Sequence, residues 1–256
     1  MAIKKKADER FEILEVKRGR MTFRVVGVTP LICEAMSSKV RQELLLPSKK
    51  KNAAEKASTL KHNPYDEYRR SAYRAMDDDA PTRILVPATA FKSALRDVAL
   101  DIPGAAKTQI GRLTYVTGSY VSVYGEPQLI MSVVRNSDTN HTPDIRTRAI
   151  LPRWAAEIEI TFAQPIMKAK TIADLMAAAG MMRGVGGWRP EKGKGDYGQF
   201  MLVGENDEEF NEIVASGGLA VQDAALEEPQ CFDSETAELL SWFDAESKRR
   251  GFELVS

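Results

Sequence analysis

Along the 256 residues the predicted elements run strand, helix, paired strands, helix, strand, which predicts an α+β fold on an RRM-like or ferredoxin-like split βαβ core. Two further observations shape that expectation. A polar, strongly basic stretch, residues 36–76, interrupts the order after the first strand and reads as a helical insertion. Residues 204–256 hold fourteen acidic side chains against three basic ones, so they read as an acidic helical extension of a core spanning 1–203.

The elements follow from local patterns. "MTFRVVGVTPLI" (21–32) alternates and is rich in β-branched residues, so it reads as a strand stopped at Pro30. The basic stretch is helical in parts, packed on the core rather than core itself. "RILVP" (83–87) is a short buried strand. "ATAFKSALRDVAL" predicts an amphipathic helix with Phe91, Leu95 and Val98 inward and Lys92 and Arg96 on its rim. "YVTGSYVSVYG" and "PQLIMSVVRN" alternate as strands and predict a hairpin around Gly125, Glu126 and Pro127. "RTRAILPRWAAEIEITFA" returns as a long strand broken at Pro152. "TIADLMAAAGMM" (171–182) predicts a helix capped by Thr171, and a glycine loop then opens the strand "QFMLV". Beyond it, "NDEEFNEIVAS" and "SETAELLSWFDAESKRR" read as two acidic amphipathic helices. Phe210 with Ile213 and Val214, and Leu239 with Trp242 and Phe243, fall at helical spacing and imply docking rather than a loose tail.

Composition narrows the function classes. No apolar run reaches the roughly 20 residues of a membrane span. The start of the chain lacks the apolar stretch of a secretory signal. Cys33 and Cys231 lie far apart without metal-type spacing, which points to a reducing cytoplasm. His62 and His141 sit in polar loops without an HExxH or CxxC companion, and Asp77 to Asp79 read as a solvated turn. There is no Walker loop and no nucleophile elbow. The glycine loop follows a helix and opens a strand, the reverse of a dinucleotide fingerprint. The expectation is therefore no cofactor, no metal and no catalytic residue.

The positive features point to a polyanion. Residues 1–203 carry a balance of +11 and residues 204–256 one of −11. "RGVGGWRPEKGKGDYGQF" (183–200) combines Gly184, Gly186, Gly187, Gly193 and Gly195 with Arg183, Arg189, Lys192, Lys194, Trp188 and Tyr197. Glycines admit close backbone approach, cations neutralise phosphates, and aromatic rings stack on unpaired bases. Arg146 and Arg148 add charge on a strand, and Lys49, Lys50 and Lys51 in the insertion. A flexible hairpin whose Trp188 plugs the core is the alternative reading of the loop. The acidic extension could screen a basic groove or serve as an interface to an adjacent copy.

Three strings together carry a family resemblance. The glycine loop between the last helix and strand, and "VPATAFKSALR" (86–96), resemble the RAMP superfamily, which includes backbone subunits of CRISPR effector complexes. "VTPLICEAMSSKVRQELL", "YDEYRRSAYR" and "GVGGWRPEKGKGDYGQF" are similar to a group of phage and prophage proteins of that superfamily. The likeness covers about residues 20–203. It implies an RRM-like fold, Lys92 and Arg96 toward a nucleic-acid backbone, and the 36–76 insertion as a thumb-like element reaching a neighbouring copy. It also implies self-association along single-stranded DNA or RNA in a phage-infected bacterial cytoplasm, for replication, recombination or strand annealing. The sequence departs from the family's cleaving members: Glu34 stands where they have an aspartate, and neither histidine rebuilds their processing site. A metal-independent endoribonuclease, a guide-RNA backbone subunit and a host-interaction protein are the alternatives.

Overall fold

A computed structural model describes residues 15–36, 38–46, 60–135, 143–192 and 195–252. Its strands are β1 (Lys17–Gly27), β2 (Leu31–Ile32), β3 (Tyr73–Arg74), β4 (Ile84–Pro87), β5 (Thr114–Val116), β6 (Tyr120–Tyr124), β7 (Gln128–Arg135), β8 (Pro143–Leu151), β9 (Ala155–Gln164) and β10 (Phe200–Val203). Its helices are α1 (Ser38–Leu45), α2 (Pro64–Arg70), α3 (Ala88–Asp97), α4 (Lys107–Leu113), α5 (Ala169–Met182), α6 (Glu208–Ser216), α7 (Leu219–Glu227) and α8 (Ser234–Arg249).

Period-two alternation in β1 puts Met21, Phe23 and Val25 on one face and Arg18, Arg20, Thr22 and Arg24 on the other. β1 pairs antiparallel with β9 from Lys17 to Val26 and with β10 from Arg24 to Gly27. The far edge of β9 pairs with β5 and β6, and β6 leads on to β4 and β3. The order β10-β1-β9-β6 is the ferredoxin-like α+β core, extended at one edge by β4 and β3. α3 and α5 cover the apolar face. Phe91, Leu95, Ile172, Met176 and Phe200 are almost wholly buried there with Phe23 and Val25, and each such side chain removed from water contributes about 1.5–3 kcal/mol.

A second sheet, in the order β2-β8-β7, grows from the connection between β6 and β9. The expected hairpin between β6 and β7 is therefore not formed; β7 pairs instead with β8, from Gln128 to Arg135. The cause is at Gly125, whose φ of +136° turns the chain out of the first sheet. A Cβ there would lie 2.3 Å from the Arg153 carbonyl oxygen. The break at Pro152 does carry the chain from β8 in one sheet to β9 in the other.

Other local expectations shift. α5 begins at Ala169 after Lys168, not at a Thr171 cap, and Lys170 pairs with Asp174 at 2.8 Å. Within the 36–76 insertion, α2 is core: Tyr68 is fully buried and its hydroxyl donates to the Ala225 carbonyl at 2.9 Å, with the Pro127 carbonyl also in reach at 3.2 Å. The acidic segment holds three helices rather than two. Phe210 and Ile213 of α6 pack on Val26 and Ala155, opposite α3 and α5, while Leu226 and Leu240 enter the main core.

Candidate functional site

The glycine loop is pinned by backbone bonds. Gly187 donates to Ile32 at 2.9 Å, Gly198 to Pro30 at 2.8 Å, Val185 to Gly198 at 2.9 Å and Tyr197 to Trp188 at 3.2 Å. Gly186, with φ +82°, passes so close to β2 that a Cβ would meet the Ile32 oxygen at 2.5 Å. At Gly195 the Cβ would meet the Trp188 oxygen at 1.9 Å. These glycines have an intramolecular reason: they let the loop fold against itself and β2. Trp188, held at φ 51°, sits half-buried over Ile32, Ile130 and Ile150 with Tyr197, at a ring separation of 6.2 Å.

That docking aligns charge. The Arg148 guanidinium stands 5.9 Å from the Trp188 ring centroid and 3.5 Å from the Glu34 carboxylate. Burial lowers its pKa from the ordinary value, Glu34 pulls the other way, and its Nη1 is buried without a hydrogen-bond partner. Arg189 donates to Glu191 at 2.6 Å and to the Gly186 carbonyl at 2.9 Å.

Two adjoining cavities, which share part of their lining, make up a groove. The larger, about 720 Å³, runs beside β8 and is lined by Lys61, Arg70, Arg146, Arg148 and His62 among others. The smaller, about 140 Å³, reaches the start of α3 and is lined by Gly186 and Arg189. Cys33, Glu34 and Tyr73 line both. Of the sequence-predicted residues, the fold thus gathers Arg146, Arg148, Gly186 and Arg189 into one groove, with Trp188 and Gly187 beneath Arg148. Gly184 lies at the turn out of α5 with φ +62°. Arg183 is engaged by Asp101, on the α3 side of the loop. Arg96 forms a two-pronged bond to its neighbour Asp97 at 2.6 and 2.8 Å, and Lys92 is half-buried on the same helix. Lys49, Lys50, Lys51, Gly193, Lys194 and the side chain of Lys192 fall outside the described residues, as does His141.

Carboxylates along the groove hold its cations. Asp144 accepts from Lys61 at 2.9 Å, and these bonds together with His62 hold its pKa below the usual value. His62 places Nδ1 2.7 Å from Glu67 and Nε2 3.0 Å from Asp144, so neither ring nitrogen is open to a substrate. Burial pushes the Cys33 thiol up to about 12, leaving no thiolate nucleophile at neutral pH. Among the described residues no group of three His, Cys, Asp or Glu side chains could hold a metal ion. Nor is any described helix long and apolar enough to cross a membrane.

Spacing alone singled out neither Tyr73, whose ring packs on Tyr120 at 5.5 Å, nor Arg70 and Lys61. Their signal is the density of aromatic and basic residues in and beside "YDEYRRSAYR".

On the outward sheet face, across from α3 and α5, Arg20 pairs diagonally with Glu159 at 3.4 Å and Arg24 with its register partner Glu157 at 3.3 Å, and α6 roofs one end.

The class this architecture defines is an α+β protein with a ferredoxin-like core. No family model matches the chain, and no curated protein matches it. A solved structure similar to it is described as the cryo-EM structure of the Type III-B Cmr-beta bound to cognate target RNA, with a TM-score of 0.41 and 16% identity. The similarity covers 73% of this chain and 60% of that one.

Proposed function

We propose that the chain binds single-stranded nucleic acid along this groove, without cleaving it and largely without regard to sequence. The observation that carries the reading is the convergence of Arg146, Arg148 and Arg189, from two distant segments, on one groove that also exposes Tyr73. Guanidinium groups neutralise phosphates and release counterions, while an aromatic wall receives a base. The engaged nitrogens of His62 favour binding over acid–base cleavage.

Assembly of copies along a strand belongs to the same reading. Leu44, Leu45 and Leu46 are each more than 70% exposed where α1 leads into the Lys49 to Lys51 segment, an apolar ledge a neighbouring copy could cover. Such a filament suits phage replication, recombination or strand annealing.

The test is fluorescence anisotropy with labelled DNA and RNA strands. Replacing Arg146, Arg148 and Arg189 together by alanine should weaken binding at least about tenfold near 100 mM salt and flatten the salt slope by about 2, as loss of three phosphate contacts requires. A Tm measurement separates lost contacts from lost fold. Unchanged affinity in a folded variant would remove the groove from the site.

A further inference from the structure

The smaller cavity differs from the rest of the groove. Its walls are mostly apolar, formed by Ile32, Leu85, Val86, Pro87 and Ala90 with Arg189 at one side, and Tyr73 is shared with the larger cleft. At about 140 Å³ it has room for one heterocycle and little else. The same opening holds one carboxylate, Glu34, about half exposed and steadied at 3.5 Å by Arg148. A strand whose phosphates lie by Arg146 and Arg148 in the large cleft could turn one base through this opening. A largely apolar slot, an aromatic wall and one carboxylate at its mouth, with Arg189 beside it already bonded to Glu191 and to the Gly186 carbonyl, are the ingredients of a base-reading pocket.

We infer that this recess takes one unstacked base of the bound strand and that Glu34 selects a base bearing an amino group, cytosine above all, over thymine or uracil. The inference rests on the nucleic-acid reading of the groove and adds a preference to it. A carboxylate can only accept hydrogen bonds. Cytosine offers it the N4 amino group, whereas thymine and uracil present O4 at the same place and set two acceptors against each other. All three are single-ring bases, so size does not discriminate between them. The chemistry at position 4 does.

Anisotropy titrations of the full chain with labelled oligo-dC and oligo-dT, and with oligo-rC and oligo-rU, decide the matter. The RNA pair removes the thymine methyl group as a cause. The cytosine strand should bind about tenfold more tightly in each pair, the low end of what one good base contact provides. Glu34→Gln, whose amide both donates and accepts, should bring each ratio within about twofold while leaving Tm close to wild type; the readout is the ratio within each pair, because loss of the Glu34 charge beside Arg148 acts on both strands of a pair alike. Equal binding of the two homopolymers by the wild-type chain overturns the pocket and leaves the groove standing. A preference that survives Glu34→Gln also overturns it, by assigning selection to another group. If no strand of any composition binds, the reading of the groove falls and the pocket falls with it.

Discussion

Gln222 is fully buried, and its amide lies within hydrogen-bonding distance of four backbone groups. Oε1 accepts from Ile84 N–H at 2.8 Å, and the two N–H groups of Nε2 are shared among the carbonyls of Val123, Gly125 and Gly217 at 2.8, 3.0 and 3.1 Å. One side chain thus stitches α7 to β4, to β6 and to the turn that leads out of the first sheet. A buried polar group stripped of its partner costs about 1–3 kcal/mol, and here several are stripped at once. Gln222→Leu should therefore lose at least about 3 kcal/mol, seen as a Tm lowered by roughly 8 °C or more in thermal denaturation. A loss under about 1 kcal/mol would mean that water satisfies those groups instead. Nothing in "LAVQDAALEE" announces this role, because a glutamine in a polar helix ordinarily faces solvent. Trp188 is the opposite case. Its glycine-rich setting was legible as a loop, and the fold shows it packed over three isoleucines while also supporting Arg148.

Between elements, Asp97 at the end of α3 clamps Arg96 of its own helix at 2.6 Å and Lys107 of α4 at 3.0 Å. Arg96, Lys107 and their hydrogen bonds hold its carboxyl far below the ordinary value of 3.8, against the opposing effect of burial. The sign of the pH effect follows. A depressed folded pKa contributes stability that is fully present above the unfolded value and is lost as pH falls from 3.8 toward the folded pKa. Asp97→Asn should cost about 1–2 kcal/mol at pH 7, since both cations are part-exposed and screened. The Tm gap between variant and wild type should narrow as the pH drops below about 4. A gap independent of pH would show that shape, not charge, matters at this position. The helix itself was legible from the spacing of Phe91, Leu95 and Val98, all buried as that spacing requires. The β6–β7 pairing was misread because both strands alternate well, and alternation does not say which sheet a strand joins. Only the close approach of Gly125 to Arg153 decides that, and it depends on residues far apart in sequence.

Over the whole molecule, the zero net charge conceals an acidic segment folded onto a basic body. Part of the contact is ionic: Asp223 holds Arg83 at 2.7 Å and Glu212 holds Arg153 at 3.0 Å. The rest is insensitive to salt. Leu226 and Leu240 lie in the main core, the fully buried Thr236 hydroxyl accepts from Met131 N–H at 3.2 Å, and Phe232 N–H donates to the Leu129 carbonyl at 2.9 Å. Among the described residues none that lines the groove comes from this segment, whose helices pack on the core instead. The charge boundary at residue 204 is legible in the sequence, yet buried contacts run across it. Charge alone would let the segment detach when salt shortens the Debye length to about 3 Å at 1 M, whereas buried leucines and backbone bonds would not release it. Truncation after Gly204 should accordingly abolish cooperative unfolding, because it removes Gln222, Leu226 and Leu240 at a stroke. The intact chain, by contrast, should keep most of its Tm in about 1 M sodium chloride. A truncated protein that stays monomeric and melts cooperatively near the wild-type temperature would show that the first 204 residues fold without the acidic helices.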